Sequence, residues 1–168
     1  MKHKFELINI NGISDSQYKF IKSKLSIQDK KKSKRLSSKR NKHFLAGRLL
    51  LDFAGIDVSS IYYIGRKPVV DGICFSMSHC DDLTAVIVND KPIGIDIERI
   101  KPVDESMKKI LNLDSKLSNE DFIKEFTKRE SYIKLKGLGM KNLDDDISNY
   151  KFITEKVNDY YITISLSK

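Results

Sequence analysis

Two carboxylates interrupt an isoleucine-rich stretch, KPIGIDIERI, that runs from Lys91 to Ile100. Side chains in an extended strand alternate between faces, so Asp96 and Glu98 share one face with Gly94 while the isoleucines take the other. Two acids this close raise each other's pKa unless a cation lies between them. Mg²⁺ suits such a pair because it prefers hard oxygen ligands, and Gly94 would leave room for a ligand. The alternative is an exposed edge strand whose polar face meets water.

A third acid occurs in FTKRESYIKLKGLG, from Phe126 to Gly139. On a helix, Glu130 and Lys134 are four residues apart and share a face. They could form a surface ion pair worth about 0.3 to 0.5 kcal/mol. They could instead supply a carboxylate, as metal ligand or base, and a cation for a phosphate. The helix alone leaves both interpretations open.

Polar residues also flank a short apolar segment within GRKPVVDGICFSMSHCDD. Lys67 and Pro68 precede a predicted strand that ends in Ser78 and His79. A lone histidine is more often structural than catalytic, and the neighbouring Cys80 is too weak a signal for zinc.

The composition of the whole chain limits its partners. The 168 residues suit one domain or two small halves, and 40% hydrophobic with 32% charged residues is typical of a soluble protein. A net charge of +8 favours a polyanionic partner, and eight of the thirteen residues from Lys30 to Lys42 are basic. No apolar run has the length of a signal or membrane segment. Two cysteines make no disulfide framework, so we expect a cytoplasmic protein without membrane contact.

The residue pattern of the first half of the chain predicts a strand followed by helices. KFELINI alternates like a strand, and Ser14 with Gln17 resembles a capping box that opens a helix through about Leu25. A longer helix is predicted from Lys34 to Phe53, with Gly55 near its end. Its buried side is expected to carry Phe44, Leu45, Leu49 and Phe53.

After the first helices, apolar residues recur with a period of two, which is typical of strands, and later segments again have a helical pattern. SIYYIG, ICFSMSH, LTAVIVND and PIGIDIERI are predicted as strands of a meander, the last two joined by a turn at NDKP. VDESMKKILN and SNEDFIKEFTKRESYIKLKG are predicted helices, the second capped by Ser118 with Asp121 and ending at Gly137. The tail is a predicted hairpin turning at Asn158 and Asp159. Helix followed by strand in both halves indicates a pseudo-duplicated α+β fold, with a seam between about Asn89 and Ile100.

The order of these motifs resembles the 4'-phosphopantetheinyl transferase superfamily, specifically the larger pseudo-dimeric type that serves surfactin and enterobactin synthetases. Three blocks carry the resemblance: GRKPVV, then FSMSHCDDLTAVIVNDKPIGIDIERIKP, then EFTKRESYIKLKGLG. A looser fourth match is SKRNKHFLAGRLLL, which is similar to the basic helix before the first block in the enterobactin group.

The resemblance implies an α+β fold of two pseudo-duplicated halves packed as an intramolecular pseudo-dimer. Residues 1–92 would form the half with basic helices and coenzyme A-binding strands, and residues 93–168 the half with the metal-binding strand, the Glu130 helix and the terminal hairpin. Asp96, Glu98 and Glu130 match the family's Mg²⁺ ligands, and Glu130 or a metal-bound water would be the base. Lys134 and His79 match catalytic phosphate contacts. The matching coenzyme A contacts are Arg40, Arg48, Lys67, Pro68, Ser78, His79 and Lys134.

The implied reaction moves the 4'-phosphopantetheine arm of coenzyme A to a serine of an acyl or peptidyl carrier protein, in fatty acid, polyketide or nonribosomal peptide synthesis. Coenzyme A is the substrate, Mg²⁺ the cofactor and the acidic carrier the protein partner, with a monomer expected and no nucleic acid required. One alternative is a basic nucleic-acid or ribosome-binding protein without enzymatic activity. Another is a degenerate transferase fold that binds coenzyme A without turnover.

Overall fold

The computed structural model describes residues 4–110, 117–139 and 142–167. The chain divides into two compact units, Met1–Lys91 and Pro92–Lys168. Each unit combines helices with an antiparallel three-stranded sheet, so the fold class is α+β as predicted. Among the described helices, none has the length and apolar character needed to cross a bilayer.

The first unit has strands at both ends and three helices in between. Its sheet has the order β1-β5-β4, and a separate pair joins β2 to β3. The long helix α3 packs on β5 and α1, which buries Leu45 and Leu49 in the core. The elements are β1 (Phe5–Asn9), α1 (Asp15–Lys24), α2 (Ile27–Ser33), α3 (Ser38–Phe53), β2 (Tyr62–Ile64), β3 (Lys67–Val69), β4 (Cys74–Cys80) and β5 (Leu83–Asn89).

Two predicted helix ends in this unit are confirmed. The Ser14 side chain accepts a hydrogen bond from the backbone N–H of Gln17, and the Gln17 side chain accepts one from the N–H of Ser14. Gly55 follows α3 with φ of +84°, a conformation that glycine adopts at little cost. The N–H groups of Gly55 and Ile56 then satisfy carbonyls of the last helical turn.

The predicted helix from Lys34 to Phe53 is wrong at its start. Ser37 has an extended backbone (φ −61°, ψ 159°), so α3 begins at Ser38, and a separate helix, α2, precedes it. The predicted buried face is also wrong at Phe53, which is 64% exposed. The break allows α2 to turn back and bring its Asp29 against Arg48 of α3.

The second unit follows the same plan with fewer helices. Its sheet has the order β6-β8-β7, and α5 packs on β6 and β8. The elements are β6 (Ile93–Arg99), α4 (Glu105–Ile110), α5 (Asn119–Lys136), β7 (Lys151–Val157) and β8 (Tyr160–Leu166). The end of the predicted helix VDESMKKILN lies outside the described residues.

Local signals place α5 and the final hairpin as predicted. The Ser118 side chain accepts a hydrogen bond from the N–H of Asp121, and Gly137 ends the helix with φ of +69°. Asn158 has φ of +51° in the turn between β7 and β8, a conformation that asparagine tolerates better than most residues.

The predicted meander from β2 through β6 is wrong at its first and last steps. β4 and β5 do pair as a hairpin, but β2 pairs with β3, a strand that the sequence pattern does not predict, and β6 pairs with β8 in a different sheet. In both units the last strand lies in the middle of the sheet, between the first strand and its own hairpin partner. A turn signal such as NDKP shows that the chain changes direction, but it does not say which strand the next segment will join.

Candidate functional site

Five predicted contact residues gather on one cavity in the first unit. Its volume is about 470 Å³. Arg40 and Arg48 come from α3, Pro68 from β3, and Ser78 and His79 from the end of β4. The rest of the lining consists of Lys32, Leu36, His43, Phe44, Gly47, Met77 and Thr84. Lys67 is exposed at the start of β3 and lies outside this lining.

Arg48 lines the cavity, but its charge is balanced within the protein. Its Nε donates to Asp29 Oδ2 at 2.5 Å, and its Nη2 donates to Asp29 Oδ1 at 3.2 Å. Both side chains are almost fully buried. Tyr63 joins the pair, because its hydroxyl donates to Asp29 Oδ1 at 2.6 Å and accepts from Arg48 Nη2 at 3.0 Å. The network ties α2, α3 and β2 together under the cavity.

Lys32 places a second cation above this network. Its Nζ lies 4.5 Å from the centroid of the Tyr63 ring, a cation–π geometry. Burial lowers the pKa of Lys32, and the charge of Arg48 lowers it further, while Asp29 opposes the shift. An anion in the cavity would stabilise the charged form of Lys32, because it would compensate for the lost hydration and for the repulsion by Arg48.

Two histidine rings on the lining of the cavity are in contact. The rings of His43 and His79 have centroids 4.6 Å apart. His43 Nε2 lies 3.0 Å from the carbonyl oxygen of Asp81, and its Nδ1 lies 2.8 Å from the Thr84 hydroxyl. Burial lowers the pKa of His43, which favours the neutral ring that donates to Asp81 and accepts from Thr84. The neutral ring supports His79, which is exposed toward the cavity.

A basic cleft adjoins the cavity through Lys32, which belongs to both. The cleft has a volume of about 560 Å³, and the other cations on its lining are Lys31, Arg35 and Arg66. No acidic side chain is among the described residues that line it. Together the cavity and the cleft form a continuous positive surface that suits a ligand with several anionic groups.

In the second unit, the polar face of β6 is covered by α5. Asp96 is only 2% exposed, so the alternative of an edge strand with a solvated polar face is wrong for this residue. The expectation that Gly94 leaves room for a ligand is also wrong. A Cβ at Gly94 would lie 2.6 Å from Ser165 Oγ and 2.7 Å from Leu135 N, and closer still to the carbonyl oxygen of Ser131. The missing side chain makes room for the backbone of α5.

This close packing brings Lys134 and Glu130 to Asp96. Lys134 Nζ donates to Asp96 Oδ1 at 2.6 Å. Burial raises the pKa of Glu130, and the charge of Asp96 raises it further, while Lys134 opposes the shift. The three side chains therefore share one electrostatic environment, although 34 positions separate Asp96 from Glu130 in the sequence.

The donors of this site fit a hard divalent cation. Asp96 already holds a cation, the Lys134 ammonium, so its surroundings favour positive charge. Mg²⁺ is commonly bound by one or two carboxylates plus substrate phosphates, and Asp96 and Glu130 could provide the carboxylates. Glu98 lies two residues beyond Asp96 on β6 and is half-buried. Across residues 4–110, 117–139 and 142–167, no three Asp, Glu, His or Cys side chains are already grouped for a metal ion.

Sequence reasoning missed several residues of the two sites. Lys32 lies within the basic stretch from Lys30 to Lys42, and His43 directly follows it, so neither stood out from its surroundings. Asp29 and Tyr63 carried no motif at all. The roles of these residues depend on contacts with partners 15 to 41 positions away, which periodicity does not reveal.

Two curated proteins are similar to this chain in sequence. The 4'-phosphopantetheinyl transferase gsp of Aneurinibacillus migulanus is 38% identical over an alignment of 85 residues, and the match covers 44% of this chain and 36% of the relative. The 4'-phosphopantetheinyl transferase psf-1 of Bacillus pumilus is 33% identical over an alignment of 87 residues, and the match covers 44% of this chain and 37% of the relative. The matches thus span little more than a third of either relative. No protein-family model matches the chain. Neither relative's name supports the alternative of a nucleic-acid-binding protein.

Proposed function

This chain is related to the 4'-phosphopantetheinyl transferases, and we propose that it transfers the 4'-phosphopantetheine arm of coenzyme A to a serine of an acyl or peptidyl carrier protein. The observation that carries the proposal is the cavity of the first unit. Its lining joins residues from three separate segments to which the resemblance to this superfamily assigns coenzyme A contacts, among them Arg40, Pro68 and His79.

Coenzyme A carries three phosphates, and the basic surface of the first unit suits such a ligand. We assign its adenosine and phosphate end to the cavity, where Arg40 and Lys32 offer positive charge and the exposed ring of His79 offers a flat surface. The charge of Arg48 is paired with Asp29, so this residue contributes indirectly. It donates a hydrogen bond to the Tyr63 hydroxyl and so holds Tyr63 in place beneath Lys32. Ser78 supplies a hydroxyl beside His79.

For the second unit we propose that its acids hold the metal cofactor of the reaction. Asp96 and Glu98 of β6 and Glu130 of α5 are the residues that would hold Mg²⁺. When bound, the ion supplies positive charge against the diphosphate oxygens. Lys134 is long and flexible enough to add a further positive charge to the transferred phosphate.

In the proposed transfer, the substrates supply the bond that forms and the bond that breaks, and a residue of this chain accepts the proton. The serine oxygen of the carrier forms a bond to the phosphorus that bears pantetheine, while the bond from that phosphorus to the bridging oxygen breaks. The bridging oxygen keeps the electron pair and leaves as part of adenosine 3',5'-bisphosphate. Glu130 accepts the serine proton as the general base. Phosphoryl transfer otherwise needs alignment and charge neutralisation rather than covalent help.

The partner of this reaction is an apo carrier protein, and we propose that the acidic surface of the carrier is attracted to the net charge of +8. We further propose that the chain acts as a cytoplasmic monomer whose two units arose by duplication. The shared strand order, with the last strand in the middle of each sheet, supports the duplication.

The test is incubation of the purified protein with coenzyme A, Mg²⁺ and a panel of apo carrier proteins. We expect one carrier to gain the mass of a phosphopantetheine arm. Asp96→Asn and Glu130→Gln, which preserve side-chain shape, should abolish the gain and leave the circular dichroism spectrum unchanged. Absence of a mass gain with every carrier, or full activity in both variants, would refute the proposal.

A further inference from the structure

The buried carboxylate of Asp96 has a cation of the protein's own beside it. Lys134 Nζ lies 2.6 Å from Asp96 Oδ1, and the Asp96 side chain is 3% exposed. A carboxylate this buried loses most of its hydration, which is unfavourable unless a countercharge compensates. Lys134 supplies such a charge from α5, and its own side chain remains 28% exposed.

A divalent cation and the Lys134 ammonium would compete for the same carboxylate. Mg²⁺ binds carboxylate oxygens at about 2.0 to 2.1 Å, and Lys134 Nζ lies 2.6 Å from Asp96 Oδ1. Two cations this close to each other on one carboxylate repel strongly in a partly buried site. This repulsion would drive Lys134 away from Asp96, and its four-carbon stem and partial exposure allow the movement.

We propose that Lys134 is a placeholder cation, which occupies the metal position on Asp96 in the empty protein and moves to a phosphate of the incoming diphosphate when Mg²⁺ binds. The inference rests on the proposed function insofar as that function assigns Mg²⁺ to Asp96. It adds that the empty site is stabilised by Lys134, which therefore weakens the affinity for free Mg²⁺.

A thermodynamic coupling follows between the metal and coenzyme A. Free Mg²⁺ has to displace Lys134 without offering it another anion, whereas Mg²⁺ that arrives with the diphosphate of coenzyme A offers it phosphate oxygens. Coenzyme A should therefore increase the affinity for Mg²⁺, and Mg²⁺ should increase the affinity for coenzyme A by the same factor. Metal and diphosphate would then bind together, which avoids filling the site with a metal ion alone.

The experiment is a calorimetric titration of Mg²⁺ into the full chain without coenzyme A. Lys134→Met should bind Mg²⁺ at least about tenfold more tightly than the parent protein, because the competing cation is gone. Lys134→Arg keeps the charge and should stay close to the parent affinity. Lys128→Met is the matched control, since Lys128 lies on the same helix, pairs with Glu125 at 3.3 Å and has a side chain 30% exposed.

The melting temperature provides a second readout in case Lys134→Met folds poorly. Without Lys134 the buried charge of Asp96 loses a countercharge, so the metal-free variant should melt below the parent protein and the Lys128→Met control. Mg²⁺ should then raise its melting temperature by more than it raises that of either, or should restore a fold that is absent without metal. Equal or weaker Mg²⁺ affinity in Lys134→Met, or no larger Mg²⁺-induced shift, would overturn the inference.

The transfer assay separates this inference from the proposed function. Tighter Mg²⁺ binding by Lys134→Met, together with a parent protein that modifies no carrier, would keep the placeholder role and remove the transferase function. An active parent protein whose Mg²⁺ affinity does not respond to Lys134 would keep the function and remove the placeholder role.

Discussion

Replacing Gly94 by alanine should displace the helix that carries Glu130 and Lys134. A new Cβ would lie 2.6 Å from Ser165 Oγ and 2.7 Å from Leu135 N, inside the 3.0 Å below which neighbouring atoms have to move. The carbonyl oxygen of Ser131 would lie closer still. Two of these three atoms belong to the backbone of α5, which cannot rotate away. The helix must therefore retreat from β6, by a distance on the order of 1 Å.

The cost of this displacement follows from what the helix buries. Forcing an extra carbon into a packed core costs about 1 to 3 kcal/mol of unfolding free energy, and backbone clashes belong at the upper end. For a unit of this size, about 3 kcal/mol corresponds to a fall in melting temperature of roughly 12 to 24 °C. The same retreat would lengthen the 2.6 Å contact between Lys134 and Asp96, so the affinity for Mg²⁺ and any transfer activity should change too.

Gly12→Ala is the matched control for this substitution. Apart from its two chain neighbours, no described residue has an atom within 4 Å of a Cβ at Gly12, and its backbone does not have a positive φ. This alanine should be neutral or stabilise by up to about 1 kcal/mol, because it restricts the unfolded chain. Thermal and urea unfolding of both variants provide the comparison. Equal stability of Gly94→Ala and the parent protein would refute the close packing of α5 on β6.

Three further outcomes are expected in the first unit. Asp29→Asn leaves the buried guanidinium of Arg48 without its countercharge and should cost about 3 to 5 kcal/mol in urea unfolding; a loss below about 1 kcal/mol would contradict the buried pair. Burial lowers the pKa of His43 below its ordinary 6.5, so its contribution to stability is complete above that pH and is lost as the pH falls toward the folded-state pKa. His43→Gln should accordingly flatten the dependence of unfolding free energy on pH below pH 6.5, and an unchanged slope would show that another group is responsible. Arg40→Ala should raise the KM for coenzyme A by about tenfold with little change in kcat, whereas Lys42→Ala, outside the cavity, should not; equal effects would indicate a diffuse charge effect.

Features that depend on neighbouring residues were predictable from the sequence. The caps at Ser14 and Ser118, the helix end at Gly137 and the turn at Asn158 each rest on interactions within a few positions of the chain. The alternation of β6 is likewise a property of extended backbone, which is why Asp96 could be placed on the face opposite the isoleucines.

Features that depend on distant residues were missed or misplaced. The sequence showed that Gly94 lacks a side chain on the polar face of β6, but not that α5 fills the space. It marked Arg48 as a basic residue near a predicted phosphate site, but not that Asp29 pairs with it. In each case the deciding partner comes from another element, and local patterns carry no information about which elements will pack together.

The amino-acid sequence by itself determined most of the helices and strands, though not α2 or β3, together with several of their ends and the order of acidic and basic motifs, because backbone sterics and short-range hydrogen bonds act between near neighbours. The tertiary structure alone decided that Lys134 forms an ion pair with Asp96, that α5 covers the polar face of β6, and that residues of α3, β3 and β4 line one cavity. These arrangements depend on burial and desolvation. Such energies arise only when distant segments exclude water together, so they cannot be assigned to any one stretch of the chain.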